Sequence, residues 1–151
     1  MTPILYRTKR LSLMGIERRH LEHLLQLWID PDVMRNVGFP KGLHPDDIDL
    51  EAHLWCGGVS EPKDRQPGIH MAVELQDGTF VGEAKLGEPD LNGVAEPDVK
   101  FMPQHWGCGF GSEIVQLLIA ESFRRYPKCV VVQFTPNVEN RAAIRLYKKF
   151  G

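Results

Sequence analysis

Cysteine is scarce in this 151-residue chain: Cys56, Cys108 and Cys129 form an odd set without metal-ligand spacing. That excludes a disulfide framework and a structural zinc site, and it points to a reducing compartment with no metal bound. Long apolar runs are missing too. Nothing approaches the roughly 20 residues needed to cross a bilayer, and no signal-peptide pattern is present. The chain therefore reads as cytoplasmic, with no membrane partner. Neither sign of charge dominates, since 18 Lys and Arg face 20 Asp and Glu. No nucleic-acid partner is expected, because such binding needs clustered cations. The short basic groups at Arg7, Lys9 and Arg10, at Arg18 and Arg19, and at Lys148 and Lys149 read as solvated faces. Repeats and low-complexity tracts are absent. With 42% hydrophobic residues, residues 1–151 form one domain large enough to bury a core.

What the chain does have is a glycine-rich loop. Val99 to Ser112 reads as an extended run that stops at Pro103, passes Gly107, Gly109 and Gly111, and opens an amphipathic helix. Glycine permits positive φ and close approach to the backbone. A helix start offers unpaired N–H groups and about half a positive charge. Such a loop can cradle a phosphate or pyrophosphate. A Cβ at Gly109 or Gly111 is expected to block that approach. The alternative is a tight strand-to-helix turn that uses glycine for geometry alone.

Periodicity supplies the rest. Residues 4–14 read as one edge strand, and 17–28 as a helix carrying Leu21, Leu24, Leu25 and Trp28 on one face. Asp30-Pro31 ends that helix, and Pro31 suits the first turn of a short one following. Pro45-Asp46-Asp47 predicts a second helix over about 45–55, and 57–68 a flexible loop. Residues 69–75 and 79–86 form a hairpin about Asp77-Gly78. A polar loop over 87–97 leads to strand 98–102, helix 111–125, a buried strand 129–135 and helix 138–150. This order predicts an α/β mixed sheet with helices on both faces.

The segment Asn140-x-x-Ala143-x-x-x-Tyr147-x-Lys149-x-Gly151, following a strand, resembles the end of the GNAT superfamily of acyl-CoA-dependent N-acyltransferases. Pro103-x-x-Trp106-Gly107-x-Gly109-Phe110-Gly111-x-Glu113 is similar to that family's CoA pyrophosphate loop, closest to the ribosomal-protein alanine acetyltransferase (RimJ/RimL-like) form. Leu11-Ser12-Leu13 and Asp30-Pro31-Asp32-Val33-Met34-Arg35 resemble the start of the same subgroup. The resemblance implies a GNAT-like, mostly antiparallel sheet with a splayed central strand pair. Members continue past Gly151 into a further strand, so the final C-terminal strand is expected to be missing or supplied by a partner, as in a homodimer.

It also implies transfer of an acetyl group from acetyl-CoA to a primary amine, by direct attack in a ternary complex. The acceptor is a protein N-terminus or a small amine. Backbone groups of the splayed strand at Phe101 and Met102 would hold the pantetheine arm, together with the Asn140 amide. The pyrophosphate would rest on Gly107, Cys108, Gly109, Phe110, Gly111 and Ser112. Trp106 and Cys108 stand where other members often carry Gln, Arg or Lys, which removes a charge from beside the phosphates. Tyr147, two helical turns after Asn140, would protonate the departing thiolate. Each residue has a plainer reading: Asn140 as a helix cap, though Asn137 is better placed for that, and Tyr147 as a core ring.

A base must also take the amine's proton. Several members place a carboxylate five residues before the conserved Asn, where this chain has Thr135. The candidates are Glu96 and Asp98, read as sharing one strand face, and then Glu83, with His70 and His105 as surface alternatives. With Asp90 and Glu88, these acids would form a rim that draws a cationic amine. An aminoglycoside 6′-N-acetyltransferase is a second reading, weakened by Thr135. A CoA-binding module that has lost catalysis is a third. A dinucleotide oxidoreductase fits poorly, because the loop is Gly-x-Gly-x-Gly after a proline.

Overall fold

Asp-Gly chemistry sets the centre of the sheet. Gly78 takes φ 90° and Asp77 Oδ1 accepts from the Thr79 N–H at 2.9 Å, closing the turn between β3 (Gly68–Leu75) and β4 (Phe80–Gly87). In this computed structural model, residues 2–55 and 68–151 are described. β1 (Ile4–Arg7) and β2 (Leu11–Gly15) lie to one side of that hairpin. The short β5 (Val94–Ala95) is followed by β6 (Asp98–Phe101) on the other side. The main sheet runs β1-β2-β3-β4-β6 with every pair antiparallel. β5 instead pairs in parallel with β7 (Val131–Val132).

Strand alternation sends two sets of side chains to opposite faces. Ile69, Met71 and Val73 meet Phe110, Ile114 and Leu118 of α3 (Phe110–Arg125). Met14, Ala72 and Phe80 meet α1 (Leu21–Ile29) and α2 (Pro31–Met34), through Leu24, Leu27, Trp28 and Val33. Asp30 accepts from the Asp32 N–H at 2.8 Å and Pro31 opens α2, so this junction follows the sequence expectation. α4 (Arg141–Lys148) closes the chain and buries no residue completely.

Several expected elements change. Residues 4–14 are two strands, because the Thr8 N–H closes a turn onto the Leu11 carbonyl at 2.9 Å. The helix expected over 45–55 is two 3-10 turns, Pro45–Asp47 and Glu51–His53, broken where Ile48 becomes extended to reach the α1 core. The loop expected over 57–68 lies outside the described residues, except that Gly68 begins β3. The 87–97 loop contains β5. The strand expected over 129–135 is reduced to two residues and is not buried, with Val130 67% exposed. Its only strand partner among the described residues is β5, and Pro97 has no N–H to extend the ladder.

Candidate active site

β5 and β6 are nearly continuous, yet they join different sheets. The last rung to β7 is the Gln133 N–H on the Ala95 carbonyl, 2.8 Å, and Gln133 Nε2 donates to Glu96 Oε1 at 2.6 Å. Past Glu96-Pro97, β6 turns to β4 while residues 133–136 move away. This V-shaped separation is the splayed pair that was expected. A cleft of about 640 Å³ opens in it, lined by β6, the glycine loop, residues 133–136 and α4.

Which β6 groups face the cleft follows from parity. The Met102 N–H bonds to the Val81 carbonyl at 2.9 Å, so in an antiparallel ladder residues 98, 100 and 102 face β4. Val99 and Phe101 direct their backbone groups the other way, and Trp106 Nε1 already donates to the Phe101 carbonyl at 2.9 Å. That corrects the expectation for Met102. Its N–H is committed to β4, its carbonyl accepts from His105, and its side chain lies in the α1 core.

The three loop glycines differ physically. Gly107 and Gly109 have φ 73° and 82°, the left-handed region that favours glycine. Gly111 is inside α3 without positive φ, and a Cβ there would come within 2.9 Å of Leu146 Cδ2 on α4. Its glycine serves the packing of α3 against α4. No side chain caps α3, so the N–H groups of Phe110, Gly111 and Ser112 open its first turn unpaired within the helix. Ser112 itself is not in the cleft wall, whereas Gly107, Cys108, Gly109, Phe110 and Gly111 are.

Asn140 and Tyr147 both line the cleft. Asn140 is the cap of α4, accepting from the Ala143 N–H at 3.2 Å, while Asn137 accepts from Glu139 in the preceding turn at 2.9 Å. The cap assignment given to Asn137 is thus corrected. Capping uses Asn140 Oδ1 and leaves its NH₂ group. The Tyr147 ring stacks on Phe134, with centroids 4.3 Å apart. Burial and the charge of Asp98 push its hydroxyl pKa up, against Lys100, so the hydroxyl keeps its proton at neutral pH.

The carboxylates separate into distinct roles. Glu96 sits in the β5–β6 break and Asp98 in β6, so they do not share one strand face, but both line the cleft. Asp98 is half exposed and paired with Lys100. Glu83 is 5% exposed and absent from the cleft wall. Trp28 Nε1 donates to it at 2.6 Å, His70 Nε2 bonds its other oxygen, and Lys100 Nζ lies 3.6 Å away. Burial alone would raise its pKa, yet Lys100 and His70, with these hydrogen bonds, hold it well below the carboxylate range. Such a carboxylate is a weak proton acceptor, so its ranking as a base is corrected. His70 is not a surface histidine but part of this buried network, bonded also to His53 at 3.3 Å. Asp90 closes its own turn onto Asn92 and Val94 and does not reach the cleft.

Lys100, Asn36 and Val37 also line the cleft and were not foreseen. The i, i+2 relation of Asp98 and Lys100 was a readable sign for the lysine. Nothing local marks Asn36 or Val37, which arrive from the turn after α2. Among the described residues no cluster of His, Cys, Asp or Glu could hold a metal, and no helix is long and apolar enough to cross a membrane.

An open strand edge, a left-handed glycine loop and an uncapped helix start meet around one cleft, an arrangement able to cradle a phosphate group. Residues 10–151 match the acetyltransferase (GNAT) domain family, and the chain belongs to it. It is 25% identical over 147 residues to the FsC-acetyl coenzyme A-N(2)-transacetylase of Aspergillus fumigatus, covering 91% of this chain and 61% of that protein. The chain thus spans about three fifths of that relative's length. Among solved structures it is similar to spermidine N-acetyltransferase from Vibrio cholerae in complex with CoA and spermine (TM-score 0.74, 21% identity, 93% of this chain and 79% of that one). It is also similar to an aminoglycoside acetyltransferase in complex with coenzyme A (TM-score 0.71, 20% identity, 93% and 83%).

Proposed function

We propose that this protein is an acetyl-CoA-dependent N-acetyltransferase acting on a cationic primary amine. The cleft between β6 and β7 carries that reading, because it places an anion cradle, an open strand edge and a protonated tyrosine along one channel. The cleft-facing N–H groups of Val99 and Phe101 and the Asn140 amide would hold the pantetheine arm. Gly107, Gly109 and the first turn of α3 would receive the pyrophosphate. Asp98 or Glu96 takes one proton from the ammonium, which frees the nitrogen lone pair to attack the thioester carbonyl carbon. The C–S bond breaks, the Tyr147 hydroxyl gives its proton to sulfur, and the second proton lost from nitrogen restores the tyrosine.

The acceptor enters beside Asn36, Val37, Glu96 and Asp98, where two carboxylates favour an ammonium group. Both the small-amine and the protein N-terminus readings meet that requirement. Release of CoA thiol should be followed with acetyl-CoA and a panel containing a polyamine, an aminoglycoside and an alanine-initiated peptide. Transfer to at least one is expected. CoA binding without transfer to any would mark a module that has lost catalysis, and absence of CoA binding would refute the reading altogether.

A further inference from the structure

The loop that cradles the pyrophosphate contains no lysine or arginine between Pro103 and Ser112. Arg10, in the turn between β1 and β2, reaches across so that its guanidinium lies 4.5 Å above the Phe110 ring centroid. Its Nη2 is 3.2 Å from where a Cβ on Gly109 would stand.

The arginine is held in place from behind. Arg10 Nε donates to Glu113 Oε2 at 2.5 Å and its backbone N–H to Oε1 at 3.1 Å, while Thr8 Oγ1 donates to the same Oε1 at 2.8 Å. Burial opposes the charge of Glu113, but the Thr8 and Arg10 bonds hold its pKa low, so the clamp is ionised at neutral pH. Of the three guanidinium nitrogens, Glu113 engages Nε alone. Among the described residues no hydrogen bond to Nη1 or Nη2 is formed, and the side chain is 45% exposed. Arg10 does not itself line the cleft, but its guanidinium stacks on Phe110, which does, and its two terminal nitrogens present the fork that suits phosphate oxygens.

We propose that Arg10 is the cation of the pyrophosphate site, supplied by the β1–β2 turn in place of a basic residue in the loop. The inference rests on the CoA-binding reading above. Gly109 then has two reasons to be glycine: its left-handed φ, and the space the guanidinium needs.

Calorimetric titrations with CoA, 3′-dephospho-CoA and pantetheine test this on the wild type, Arg10→Met and Arg10→Lys. Arg10→Met should weaken CoA and 3′-dephospho-CoA about tenfold each, the scale of one charge-assisted contact at a partly exposed site, and leave pantetheine unchanged. Arg10→Lys should recover part of the loss. Arg10→Gln, which keeps a donor to Glu113 without the charge, should show the same loss and serves if the Met variant fails to fold. Unchanged affinity in the variants would overturn the proposal. So would a loss confined to CoA, which would place the cation on the 3′-phosphate. A wild type that binds none of the three would instead refute the CoA-binding reading.

Discussion

Replacing each loop glycine with alanine should give three different results. At Gly107, φ 73° with nothing within 4 Å of the new Cβ, alanine meets only backbone strain of about 1–2 kcal/mol. At Gly109, φ 82°, the same strain is joined by contact with Arg10 Nη2 at 3.2 Å, so the guanidinium must shift. Gly111 is the opposite case. Alanine there gains about 0.5–1 kcal/mol of helix stability, set against moving Leu146, where an off-rotamer side chain costs about 0.5–1.5 kcal/mol. The net should lie within about 1 kcal/mol of zero, because the clashing atom is the far end of a flexible side chain. Urea unfolding of the three variants measures the stability order, and CoA titration the binding order. Gly109→Ala should lose most in both, Gly107→Ala should lose stability alone or nearly so, and Gly111→Ala should be close to wild type. Gly109→Ala as stable as the wild type, or Gly111→Ala the worst of the three, would refute this division of roles.

Tyr147→Phe keeps the ring that stacks on Phe134 and removes only the hydroxyl. Turnover should fall by about 10²–10⁴-fold with CoA affinity unchanged, and normal turnover would reduce the tyrosine to packing. For the base, pH–rate profiles of Asp98→Asn and Glu96→Gln should show the acid limb altered in one of them, and wild-type profiles in both would exclude the pair. Stability should fall on acidification in two separate windows. His20 is buried, its Nδ1 accepting from the Glu17 N–H at 2.9 Å and its Nε2–H donating to Glu74 at 2.8 Å, which fixes the neutral tautomer. Burial lowers its pKa, so the unfolded chain takes up a proton that the folded one refuses. Stability is full above about pH 6.5 and declines below it. Glu17, held at about 2 by Arg19 and Thr2, adds a further loss as pH falls from about 4.5 towards 2. Urea midpoints against pH should flatten near pH 6 in His20→Gln, and an unchanged slope would assign the first window elsewhere.

The readable parts of this protein are those whose hydrogen bonds close within a few residues. Asp77-Gly78, Asp30-Pro31 and the glycine loop into α3 announce themselves because turns, caps and helix starts are decided by neighbouring side chains and φ preferences. Asn140 and Tyr147, seven residues apart on α4, could be placed in one site for the same reason. Glu83 was read with the rim acids, because nothing local says that Trp28, His70 and Lys100 would enclose it. Met102 was misread because facing the cleft depends on ladder parity, fixed only when β6 meets β4. β7 shrank because its one described strand partner, β5, ends at Ala95, two residues before Pro97. Arg10 lies 103 residues before Glu113, and no local pattern sets it apart from the solvated basic residues around it. Local sequence could build the cradle and the helix behind it. Which edge of the strand stays open, which carboxylate is buried and which arginine reaches the loop are long-range pairings, decided only when the sheet register brings distant segments within a few ångströms.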